Sequence, residues 1–335
     1  MNLGRGGAQN PEDLWQRPAS NSPRRFSASR SAGRERDQAG VVDMSLRDDA
    51  DSEAATPAAM LRNMLWMAPP LRMRVEESRL VIVGVGGTGS FVSIYAAHLG
   101  FQHIVLCDPD VLSATNLNRY VPAEPSHVGR AKTSVLASFL SKRFSNLRVQ
   151  TLEERFPSLA IERELLHATA VIGCLDAVPD RIALDVMARR IGIPLLDLGV
   201  GFRVSPPPDR VVDGAGGQVL VSRRGGPCLR CFGFAVDGDA ASYFVDITPD
   251  PSSIVLNGVI AGLAMECLLA ELAQELGPTN RIVLDRRELT VVSDTVVSDD
   301  PTCNMCGEGA PAHWQAVAPV RSTIERELGA ICRTG

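Results

Sequence analysis

The chain has little surplus charge of either sign. Its 335 residues carry 34 basic and 39 acidic side chains, for a net charge of −5, so no global field draws it to nucleic acid or to an anionic membrane, and only a local basic pocket remains allowed. Neither is expected as a partner. The start of the chain lacks the apolar core of a secretory signal, and Cys-x-x-Cys doublets in a reducing compartment usually hold metal rather than disulfides, which together point to the cytoplasm. Long apolar runs are nearly absent. The one exception, Ile254 to Leu276, is interrupted by Asn257, Glu266 and Glu271 and weakened by Gly258 and Gly262. It therefore reads as a buried core or interface helix, not a membrane span. Histidines are scarce too: His98, His103, His127, His167 and His313 show no ligand-like spacing.

What is present changes character near residue 58. Residues 1–58 are rich in Ser, Arg, Gly, Ala and Asp without helical or alternating apolar period, which predicts a disordered tail. Its Arg- and Ser-rich part loosely looks like a transit peptide, but Glu35 and the internal position argue against that. From Leu80 the pattern becomes strand, turn, helix, repeated. Strands are expected at Leu80–Val83, Ile104–Cys107, Val149–Leu152, Ala170–Cys174 and Leu195–Leu198, with helices at Ser90–Leu99, Lys132–Phe144 and Arg181–Ile191. Such alternation predicts an α/β fold with a doubly wound, mostly parallel, Rossmann-like sheet. Beyond the apolar helix, Arg281–Val297 alternates enough for one or two further strands.

The first strand ends in Gly84-Val85-Gly86-Gly87-Thr88-Gly89. Gly84 permits a tight turn, Gly86 lets backbone approach a phosphate, and Gly89 lets the next helix pack closely on the sheet. Asp108, at the end of the second strand, is placed to accept hydrogen bonds from ribose hydroxyls. NAD, FAD and ATP all satisfy this much. Further along come Asp110, Asn116, Arg119 and Lys132, then Asp176 just past a strand. Each charge alone reads as a solvated surface residue, but two cations and two carboxylates at strand ends suit a triphosphate with Mg2+ better than a dinucleotide.

Two doublets, Cys228/Cys231 and Cys303/Cys306, follow. They fit one tetrahedral zinc site with four cysteine ligands, which has no open position and is therefore structural, clamping the C-terminal strands to the sheet. A redox dithiol is the rival reading for a single doublet, and a weak one for two. Cys107, Cys174 and Cys267 read as core residues, and Cys332 as a terminal thiol with only Arg333 nearby to lower its pKa.

With these residues together, the chain resembles the ThiF/MoeB/HesA family, bacterial relatives of ubiquitin-activating enzymes. The resemblance covers roughly residues 78–307 and joins the Gly-x-Gly-Gly-x-Gly turn, Asp-x-Asp, Asn-Leu-x-Arg, a Lys opening a helix, Leu175-Asp176 and both doublets in family order. It implies a 59–335 adenylation domain, with a nucleotide-binding half at 79–200 and a zinc-clamped part at 201–310. The implied activity is ATP- and Mg2+-dependent adenylylation of the C-terminal carboxylate of a ubiquitin-like or sulfur-carrier protein, or of a short peptide, by a homodimer. Gly84, Gly86, Gly87 and Gly89 would wrap the phosphates and Asp108 the ribose. Asn116, Arg119 and Lys132 would hold phosphates, while Asp176 would serve the metal and reacting groups.

Two departures stand out. The Arg-Gln segment upstream of the glycine turn is not recognisable, leaving Arg62, Arg72 and Arg74 as candidates by position, and Tyr120 stands where relatives often have Gln. No cysteine lies between Leu195 and Pro227 or between Phe232 and Met265, so adenylylation without an internal thioester is expected. Different-class alternatives are an NAD- or flavin-linked oxidoreductase and a nucleotide-binding scaffold without turnover.

Overall fold

A computed structural model describes Arg62 and residues 65–205, 211–234, 251–277, 279–297, 302–303 and 305–307. The expected tail, His313 and Cys332 lie outside these residues. The helices are α1 (Pro69–Glu77), α2 (Gly87–Leu99), α3 (Lys132–Arg143), α4 (Leu159–Leu166), α5 (Val178–Ile191) and α6 (Ile254–Ala273). The strands are β1 (Arg79–Val83), β2 (His103–Cys107), β3 (Arg148–Leu152), β4 (Ala170–Gly173), β5 (Leu195–Val204), β6 (Val212–Ser222), β7 (Arg281–Asp285) and β8 (Thr290–Asp294).

All eight strands join one sheet in the order β3-β2-β1-β4-β5-β6-β7-β8. The first five run parallel, and β6, β7 and β8 continue the sheet antiparallel. Because the chain moves outward from β1 to β3 and then returns to β4 on the other side, the strand order reverses at β1. Ligand crevices form at the carboxyl ends of strands flanking such a reversal. Gly84, Asp108 and Asp176 all follow the carboxyl ends of β1, β2 and β4.

Period-two alternation splits the core. Leu80 and Ile82 of β1 face one apolar layer with α2, α3 and α6, while Val81 and Val83 face a second with α4 and α5. The long apolar helix is a core element, with Leu256, Ile260, Ala261, Ala264 and Leu268 buried. By length and composition α6 could cross a membrane, but half of that stretch is buried inside the fold, packed on α2, β5 and β6.

The strands differ from expectation mainly in the C-terminal half. β5 runs on to Val204, through the expected 200/201 boundary, and β6 was not anticipated at all. Its glycines, Gly214, Gly216 and Gly217, read as a strand breaker. In the fold, Gly217 is where α6 crosses the sheet: a Cβ there would lie 2.5 Å from Ile260 Cγ1. β7 and β8 are hydrogen-bonded into the main sheet through β6.

Candidate active site

The turn after β1 is shaped by contacts that only glycine permits. Gly84 has φ of 91°, and a Cβ on it would stand 2.5 Å from the Cys174 carbonyl oxygen at the end of β4. A Cβ on Gly89 would come within 2.0 Å of the Gly84 oxygen, so the first turn of α2 sits directly on the strand end. Gly86 is the N-cap of α2 and supplies no side-chain cap. Among the described residues nothing lies within 4 Å of where its Cβ would be. The first amides of α2 have no intrahelical partner and open onto this space, as an anion site requires.

Asp108 is 6% exposed. Its carboxylate accepts from the Val85 amide at 2.6 Å and the Asp110 amide at 2.8 Å, tying the end of β2 to the glycine turn. Burial raises its pKa, opposed by the nearby Lys132 charge and by those two amides. Lys132 Nζ lies 2.7 Å from Asp110 Oδ2 and 3.9 Å from Asp108 Oδ1. Tyr120, the departure noted in the sequence, is buried and donates to the Lys132 carbonyl at 2.7 Å. Its ring thereby fixes the start of α3 and the base of the lysine.

Asn116 is occupied locally. Its Oδ1 accepts from the Ser113 amide at 3.1 Å, closing a short 3-10 turn, Ala114–Asn116. That turn aims Arg119, whose Nη1 donates to the Thr115 carbonyl at 3.0 Å, Asn118 Oδ1 at 3.1 Å and Ser252 Oγ at 3.4 Å. Asp176, exposed in the loop between β4 and α5, accepts among the described residues only from the adjacent Ala177 amide, at 2.9 Å. Gly87, Arg119 and Asn257 meet at one point, the position of a Cβ on Gly87: Arg119 Cδ is 3.3 Å and Asn257 Nδ2 2.2 Å from it. Among the upstream arginines, Arg74 is spent on the Leu272 carbonyl of α6, at 2.6 Å, and Arg62 is exposed.

Sequence reading missed the polar groups behind the crevice. Arg181, in the first turn of α5, pairs through two nitrogens with the fully buried Asp197 of β5 and lies 4.5 Å from the Phe234 ring centroid. A single charge in a helix or strand carries no signature of such pairing; only the sheet order brings them together.

The four doublet cysteines converge on the opposite face. Their sulfurs all lie within 4.8 Å of one another, with separations of 3.8, 3.7, 3.9 and 3.3 Å for the 228–231, 228–303, 231–303 and 231–306 pairs. A tetrahedron of thiolates around zinc needs about 3.8 Å, and a disulfide about 2.05 Å, so the set fits a metal ion and not two disulfides. Both knuckles use the same turn, with Phe232 N–H donating to the Cys228 carbonyl and Gly307 N–H to that of Cys303. Asp185 of α5, fully buried, accepts from the Leu229 amide at 2.8 Å, from Arg189 Nε at 3.1 Å and from the Ser222 hydroxyl. Arg189 in turn donates to the Gly226 and Pro227 carbonyls. The first knuckle is thus bolted to α5 by side chains.

The ThiF family pattern matches residues 60–302. The chain is a member of the ThiF family. ThiF-family relatives of known name include the SAMP-activating enzyme E1 of Haloferax volcanii, 28% identical over 72% of this chain and 85% of that one. The molybdopterin-synthase adenylyltransferase of Salmonella typhimurium is 26% identical over 70% and 89%. The fold is shared with E. coli MccB solved with ATP, at a TM-score of 0.58 and 22% identity over 71% of this chain and 69% of that one. ThiF membership sets aside the nicotinamide or flavin oxidoreductase alternative, which left Arg119, Lys132 and the cysteine cluster unexplained.

Proposed function

We propose that this ThiF-family chain is an ATP-dependent adenylyltransferase that activates the C-terminal carboxylate of a ubiquitin-like or sulfur-carrier protein as an acyl-adenylate. The observation that carries this is the open N-terminus of α2, with Arg119, Asp108 and Lys132 near it and Asp176 on the neighbouring strand end, in a chain whose named relatives include adenylyltransferases. No general base is needed, because a C-terminal carboxylate with pKa of about 3.5 is already an anionic nucleophile at neutral pH. What remains is holding it in line with the α-phosphate and offsetting charge on the phosphate oxygens. Arg119 and Lys132 suit that task once the nucleotide draws them from their present partners. Asp108 keeps acceptor capacity for the ribose. Asp176 and Asp110 would hold Mg2+, which supplies charge neutralisation on the phosphates.

The cysteine cluster would hold one structural zinc, closing the two knuckles over α5. Two of the described thiols elsewhere are poor acyl carriers: burial, then the charge of Glu164, pushes Cys107 up to about 12, and burial also raises Cys174. The acyl group would then pass to a separate sulfur donor, enzyme or amine, with AMP as the leaving group. A homodimer would cover the apolar face formed by Phe91 and Tyr95 of α2 and the exposed Val255 and Val259 of α6; a cytoplasmic location agrees with free thiols. ATP–pyrophosphate exchange tests the main reading. Exchange dependent on a Gly-Gly-ending carrier protein supports it, dependence on a short peptide instead supports the peptide alternative, and ATP binding without exchange indicates a scaffold.

A further inference from the structure

Asn257 is the one polar side chain in the first turns of an otherwise apolar α6, and it is 6% exposed. Its primary amide offers an acceptor half and a donor half. One half is paired: Oδ1 accepts from the Thr88 hydroxyl at 3.2 Å. For Nδ2 none of the described residues supplies an acceptor. That nitrogen occupies the notch left by the missing side chain of Gly87, 2.2 Å from where its Cβ would be, against the uncapped first turn of α2. Arg119 stands on the same point and is tethered to Ser252, immediately before the N-cap of α6. Backbone amides, a guanidinium and a carboxamide N–H therefore lie around Gly87, and the carboxamide keeps a hydrogen with no acceptor among the described residues.

We propose that Asn257 is a nucleotide-binding residue whose Nδ2 donates to an oxygen of the ATP phosphate chain while Oδ1 keeps hold of Thr88. The identity of the ligand rests on the adenylyltransferase reading. A carboxamide suits this position because it offers an acceptor to the hydroxyl and a donor to the anion at once. An aspartate of the same shape would offer only acceptors and a like charge.

The test is calorimetric binding of ATP and of adenosine to the full chain and to Asn257→Asp, Asn257→Ala and Thr88→Val, each checked for an intact melting transition. Asn257→Asp should weaken ATP by about 30-fold or more and Asn257→Ala by about tenfold, with adenosine unchanged within about twofold, since a hydrogen bond to a charged group is worth about that much. Thr88→Val, which removes the tether but leaves Nδ2, should cost ATP about threefold or less. If Asn257→Asp does not fold, the Asn257→Ala ratio decides. Equal losses for ATP and adenosine, or a Thr88→Val loss matching that of Asn257→Ala, would make Asn257 a structural tie and overturn the proposal. Failure of the unsubstituted chain to bind ATP overturns the adenylyltransferase reading as well, whereas ATP binding unchanged in Asn257→Asp overturns this inference alone.

Discussion

At the start of α2 the backbone ends in open space, with its neighbouring side chains held by few and replaceable bonds. At the cysteine corner, on the other face of the sheet, Asp185, Arg189 and Ser222 are buried and engaged. Arg119 has three partners in its own loop and at Ser252, all of them neutral oxygens, and Asp176 has only the next amide. Asp185, by contrast, is fully buried and accepts from a helix arginine, a strand hydroxyl and a loop amide. Groups that must exchange partners with a substrate are left weakly committed, whereas groups that set loop geometry are over-determined. Substitutions should therefore separate cleanly: those in the first region cost activity, and those in the second cost stability.

The largest effect is expected at the metal corner. Cys303→Ser, or exhaustive chelation, should take bound zinc from about one per chain to near none and lower the melting temperature by about 10 °C or more, because metal binding free energy is folding free energy. Metal analysis alongside calorimetry reads this, and full stability without metal would break the comparison. Next, Asp185→Ala leaves the buried Arg189 charge without its counter-ion and the Leu229 amide without its acceptor, so chemical denaturation should show a loss of about 3–5 kcal/mol. Third, Asp176→Ala should reduce ATP–pyrophosphate exchange by about 100-fold or more, about 2.7 kcal/mol of transition-state stabilisation, with an unchanged melting point. Near-normal exchange would remove Asp176 from its assigned role. Smallest is the contrast in thiol reactivity. Cys107, with its pKa pushed up to about 12, should stay unalkylated at pH 8 in the native chain, where only about one thiol in ten thousand is ionised, and become reactive on unfolding. Mass spectrometry of the labelled peptides would detect the opposite.

The parallel half of the sheet was readable because its signals are local. Continuous apolar runs ending at Gly84 and Asp108 mark strands buried on both faces, and the glycine spacing marks where the backbone must turn and pack. The antiparallel half was less so. β6 hides behind Gly214, Gly216 and Gly217, since a residue that weakens a strand locally is indispensable where a helix crosses it, as Ile260 does. At the site, the sequence marked Lys132 and Asp108, which the fold brings together, and it marked Asn116, which the fold uses to close a turn. Asn257 did leave a trace, as an interruption in the apolar stretch. Its meaning was hidden because nothing in α6 says which turn it faces.

By itself the sequence determined the order of strand, turn and helix and the chemical kinds of residue at each turn, because steric freedom and apolar period act over a few neighbouring positions. Only the tertiary structure decided that Asn257 meets Thr88 and that Asp185 holds Leu229. Those contacts join residues far apart in the chain, and they follow from strand order and helix packing, which no local pattern encodes.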